Sequence, residues 1–247
     1  MTQIAHAEMR TAQDVIRDAR ITQATNGICY TTSGEIGVAT ADLERMVASV
    51  PQAVAAALDR KAFYFVPLTV SEGEKTLIAE RYDSSLTERA VCHRNIDSGD
   101  SQCVFISTRL LDDKFSIAFE FFINVGHAFV AKAGVSAEFA ELAWSQASSG
   151  IRGETSLDAH EFRKQALAGN PGRIDEKARA DYSAAAFSDA IAIYMLSLCL
   201  DVDYYELRER EYPLLLPSAL AERLKKVSEL FPAGPSFQFN IFYRRRP

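Results

Sequence analysis

The sequence predicts an α+β fold: N-terminal helices, a small and mainly antiparallel sheet, and a helical C-terminal half. Three observations carry this. Apolar residues recur at helical spacing in residues 8–22 (Met9, Ala12, Val15, Ile16, Ala19) and 41–60 (Leu43, Met46, Val47, Val50, Val54). The period changes in residues 62–70, AFYFVPLTV, whose aromatic and β-branched side chains suit a buried strand. From Asp112 onward helical spacing returns and persists almost to the end. Helices and strands segregate instead of alternating as βα units. No repeat or long linker divides the chain, so residues 1–247 read as a single α+β domain.

Each element has a local reason. Residues 27–32 and 35–39 read as a short β pair around Ser33-Gly34. Pro51 is expected to kink or split the helix over 41–60. Residues 76–82 continue the sheet or begin a helix. Residues 90–96 and 102–108 flank Asp97-Ser98-Gly99-Asp100 and predict a hairpin. Asp112 and Asp113 cap a helix that Gly134 ends near 133. Ser136 opens the next helix, to 147. Asp158 with Glu161 fits a capping box for 158–167. Asn170-Pro171-Gly172 is a turn before a long helix over 176–200. Short helical spacing at 207–212, a helix that Ser218 caps to 230, and an alternating edge strand over 237–243 complete the chain.

Composition narrows the function classes. Asp+Glu 33 against Lys+Arg 27 give a net charge of −6, which argues against a dedicated nucleic-acid binder. Arg244, Arg245 and Arg246 read as a solvated tail. No apolar h-region precedes Arg20, and the longest apolar run, residues 190–200, falls short of the roughly 20 residues that cross a bilayer. A cytoplasmic chain without a membrane span is expected. Cys29, Cys92, Cys103 and Cys199 form no CxxC pair and read as free thiols.

Residues 115–132, FSIAFEFFINVGHAFVAK, are apolar nearly all round and so predict a buried helix. Within it, Glu120, Asn124 and His127 are spaced by four and then three residues, which stacks them on one face. Such a stripe is either a structural hydrogen-bonded network or the lining of a functional pocket. Asp189 precedes the apolar run of the long helix, so it is expected to be part-buried with His127 as its attractive partner. His93 follows Cys92 on a strand, so the two point to opposite faces. His160 reads as a surface residue beside the capping box, and His6 lies near the N-terminus.

The strand–strand–helix order, with Val104-Phe105-Ile106-Ser107 ahead of that helix, resembles the zincin metallopeptidases. Ile123-Asn124-Val125-Gly126-His127 stands where that family carries HEXXH. His127 matches the second metal-ligand histidine. Ile123 replaces the first histidine and Asn124 the catalytic glutamate. The resemblance implies a degenerate, non-proteolytic relative, with Asp181 or Glu176 of the long helix in the place of a third ligand.

Three readings follow. The first is a zincin-like binding or interaction module without catalysis, with Tyr204, Tyr205 and Tyr212 offering a surface for a protein partner or a homo-oligomer. The second is a metal-dependent hydrolase with an unusual ligand set: His127, Asp181 and Asp189 on zinc or another divalent metal, and Glu120 and Asn124 as catalytic groups. The third is a metal-free small-molecule binding or tailoring protein with a pocket lined by Phe119, Phe122 and Tyr182.

Overall fold

The computed structural model describes residues 8–73, 75–168, 174–207 and 211–242. His6, the Asn170-Pro171-Gly172 turn, Tyr243 and Arg244 to Arg246 lie outside them. The fold is α+β, as the sequence predicts. Chain contacts gather into two compact units, Met1–Val50 with Leu58–Phe121, and Pro51–Ala57 with Phe122–Pro247.

The N-terminal unit holds β1 (Met9–Thr11), α1 (Ala12–Asp18), β2 (Thr22–Gln23), β3 (Cys29–Thr32) and α2 (Thr40–Ala48). After a short helix of the other unit, α3 (Gln52–Ala55), it continues with β4 (Lys61–Val66), β5 (Leu68–Glu72), β6 (Lys75–Ala79), β7 (Ala90–Val91), β8 (His93–Ser98), β9 (Ser101–Ser107) and α4 (Thr108–Leu111). One sheet has the order β2-β3-β4-β9-β8, the other β1-β6-β5-β7. The smaller sheet is antiparallel throughout. In the larger one β3, β4 and β9 run parallel, and β2 and β8 close it as antiparallel edges.

Parallel strands covered on both faces read as unbroken apolar runs. Phe63, Tyr64, Phe65 and Val66 are accordingly all buried. Tyr64 stacks on Phe105 and packs with Ala12 and Val15 of α1, while Phe63 and Phe65 meet Phe121. Pro67, which has no N–H to give a ladder, divides the 62–70 run into β4 and β5.

Two local predictions change in this unit. The helix expected over 8–22 is shorter: Met9–Thr11 pairs with β6, and the Thr11 hydroxyl then caps α1 by accepting from Asp14 N. Residues 35–39 form no strand. Gly34 and Gly37 both have positive φ, and β3 pairs with β2 and β4 instead. As expected, Pro51 splits the 41–60 helix, and Asn26 Nδ2 satisfies the buried C-terminal end of α2 by donating to the Val47 and Val50 carbonyls at 2.8 and 2.9 Å.

The C-terminal unit is helical, with α6 (Ala137–Ser148), α7 (Leu157–Leu167), α8 (Glu176–Cys199) and α9 (Pro217–Leu230). The helix α5 (Lys114–Ala133) begins in the first unit and ends in the second. Asp113 caps α5 through Ser116 N, whereas α7 is capped by Ser156, two residues before the predicted Asp158. Residues 237–242 form no strand. The helix α8 is long and apolar enough to span a membrane, but 89% of its apolar window is buried within the protein. Phe129, Phe139, Phe187 and Phe231 form an aromatic cluster around it.

Candidate functional site

The α5 stripe does not share one environment. Glu120 lies in the N-terminal unit with its side chain 20% exposed, and its Oε1 is 2.5 Å from Nδ1 of His93 on β8. Asn124 is buried, but His127 is exposed. One stripe crosses these surroundings because seven helical residues advance about 10 Å along the axis. The expected burial of His127 is therefore corrected.

Gly126 has its own explanation. A Cβ there would lie 2.6 Å from the Ser188 carbonyl oxygen, so the glycine lets the backbones of α5 and α8 approach.

On α8, Asp181 is half-buried and Asp189 buried. Asp189 Oδ2 accepts from the Thr155 hydroxyl at 2.8 Å. Burial pushes its carboxyl up to about 6, against the pull of Ser156 and Thr155 donors and of Arg223. The partner the sequence suggested, His127, is replaced by these hydroxyls.

Beside Asp189 lies a buried polar hub that sequence reasoning missed. Glu154 and Arg223, both 0% exposed, pair at 2.9 Å. Arg163 Nη1 donates to the other Glu154 oxygen at 3.0 Å, and the Tyr182 hydroxyl sits 3.0 Å from it. Arg223 also donates to Gln146 Oε1 at 2.8 Å and to the Tyr182 oxygen at 2.9 Å. Burial works against the Arg223 charge, but Glu154 and Tyr182 more than offset it and hold the guanidinium charged. Glu154 is placed by Gly153, whose φ is +91° and whose missing Cβ would stand 2.2 Å from the Leu214 carbonyl oxygen. Tyr182, fully buried, belongs to this hub. One signal was available: Arg223 interrupts the buried stripe Ala219, Leu220, Leu224, Val227 of α9.

The N-terminal unit contains an open cleft of about 630 Å³ between α1, β2, β3 and α2. Arg10, Asp18, Arg20, Thr22, Thr31 and Glu44 are among its lining residues. Arg10 Nη2 holds Asp18 at 2.5 Å, and the Thr31 hydroxyl donates to the Arg20 carbonyl at 2.9 Å. No sequence signal marked this cleft, because its polar residues come from four separate segments.

Near the His93–Glu120 pair, loss of hydration pushes the Cys92 thiol up, and the Glu120 charge adds to this. Such a thiol stays protonated and is a poor nucleophile. Among the described residues, no three or more His, Cys, Asp or Glu side chains form a group that could hold a metal. Comparison with family models, curated proteins and solved structures gives no match to this chain.

Proposed function

We propose that the chain is a binding module that takes a small polar ligand in the cleft of its N-terminal unit. The single observation that carries this is the lining of the cleft: Arg10, Arg20, Thr22, Thr31, Asp18 and Glu44 are among the residues around about 630 Å³. That volume suits a small molecule, and convergent polar groups of both signs suit one carrying an anionic and a cationic end, such as a free amino acid. Titration of the full chain with an amino-acid and carboxylate panel, read by amide chemical shifts, tests it. Shifts confined to the cleft, and at least tenfold weaker binding in Arg20→Ala, are expected. No shift at cleft residues with any member of the panel would sink the reading.

The His93–Glu120 pair favours a second reading, a hydrolase of unusual residue set and distant zincin-like ancestry. A carboxylate on Nδ1 orients the imidazole and places Nε2 to act as the base. Metal content by plasma mass spectrometry, beside hydrolysis of activated esters, tests this reading in the parent, His127→Ala and His93→Ala. About one equivalent of metal lost with His127, or turnover lost with His93, would favour it over the binding module.

A further inference from the structure

The strand β8 is an antiparallel sheet edge. It ends the five-stranded sheet, and among the described residues no strand lies beyond it. Five of its six residues are exposed. Its backbone alternation is fixed by the ladder. The Cys92 carbonyl accepts from Ser107 N at 2.8 Å, so Cys92 directs its backbone groups toward β9. In an antiparallel ladder that orientation alternates, so Arg94, Ile96 and Ser98 also face β9. The two-residue Gly99-Asp100 turn closing on the Ser98–Ser101 pair, with Gly99 at φ +59°, agrees with this register. The N–H and C=O groups of His93, Asn95 and Asp97 therefore point outward along the edge.

The geometry points to a second copy of this chain as the strand that covers β8, paired antiparallel about a two-fold axis at Asn95. Opposed residues in such a pair must lie on the same face, which restricts the axis to a residue position. Centring on Arg94 opposes arginine to arginine, and centring on Asp97 opposes aspartate to aspartate. Centring on Ile96 opposes Asn95 to Asp97. Centring on Asn95 alone opposes His93 to Asp97, twice by symmetry, with Arg94 against Ile96 and Asn95 against itself. An imidazole opposite a carboxylate is a favourable cross-strand pair, and like charges directly opposite disfavour a register. His93 then lies between Glu120 of its own chain and Asp97 of the other, and Asp97 also accepts from Gln102 Nε2 at 3.0 Å. A five-residue strand pair buries little surface, so the association is weak and concentration-dependent.

Sedimentation velocity on the full chain, with disulfide trapping in a Cys92→Ser background, tests this. A dimer fraction that rises with concentration is expected. Asn95→Pro, which removes an outward N–H and none of the β9 ladder, should be monomeric with an unchanged circular dichroism spectrum. Asn95→Cys should cross-link at least tenfold faster than Asp97→Cys. Opposed Asn95 Cα atoms lie about 5.5 Å apart, within disulfide reach, whereas the two Asp97 positions lie about 13 Å apart. A monomer at the highest soluble concentration overturns the proposal, as does equal cross-linking at both positions. A monomer that takes up an unrelated extended peptide on β8 would assign the edge to a foreign strand and also overturn it.

Discussion

The ion pair Glu154–Arg223 in the C-terminal unit and the hydrogen-bonded pair His93–Glu120 in the N-terminal unit have similar lengths, 2.9 and 2.5 Å, but opposite surroundings. Both Glu154 and Arg223 are 0% exposed, with Gln146, Arg163 and Tyr182 supplying their remaining bonds. His93 is 41% exposed on a sheet edge. Water competes with the second pair and cannot reach the first. A paired carboxylate therefore serves as a structural clamp in one place and as an accessible chemical group in the other.

The largest expected effect comes from breaking the clamp. Glu154→Ala leaves the Arg223 guanidinium buried without its carboxylate, which costs about 3–5 kcal/mol. Urea unfolding followed by far-ultraviolet circular dichroism should show the midpoint falling accordingly. A loss below about 1 kcal/mol would mean that water enters the hub, and the contrast with His93–Glu120 would disappear.

Asp189 sharpens the comparison because it is a buried carboxylate held mainly by hydroxyls. Its folded value of about 6 stands above the ordinary 3.8, so the folded chain binds the proton more tightly than the unfolded one. The stabilisation is fully present below about 3.8, is lost as pH rises through about 6, and is worth about 3 kcal/mol at most. The charged and polar groups that set this value are Arg223 of α9, Glu154, and Thr155 and Ser156 ahead of α7. Asp189→Asn should flatten the pH dependence of unfolding between about 4 and 6 and leave the protein more stable at pH 7. A parent whose stability instead rises from pH 4 to 6, with no change in the variant, would show that Asp189 is ionised throughout.

How much of this was legible in the sequence follows the range of the interactions. The helices α5 and α8 and the β8–β9 hairpin were readable, because their apolar periods and the Ser98-Gly99 turn are local. The pairing of Met9–Thr11 with β6 was not, since it joins segments about seventy residues apart, and the 8–22 helix was overextended for that reason. The polar character of Glu120 and His127 was plain, but whether each is covered depends on where along α5 the surrounding elements stop. Gly126 beside His127 looked like part of a ligand motif, and the close carbonyl of Ser188 accounts for it instead. Glu154 sits in a glycine-flanked break with no periodicity to flag it. Arg223 left only its place in an apolar stripe.

The smallest expected effect lies at the other pole of the comparison. His93→Ala removes a polar pair whose side chains are 41% and 20% exposed, and surface pairs contribute about 0–1 kcal/mol. The variant should unfold within about 1 kcal/mol of the parent, and the difference should shrink further in 1 M salt, where the Debye length is about 3 Å. The same urea experiment used for Glu154→Ala reads it. A cost for His93→Ala as large as that for Glu154→Ala would make the β8 edge part of the packing that holds the fold. A small cost leaves the imidazole and the outward backbone of β8 available for chemistry or pairing, because the unit does not need them in order to fold.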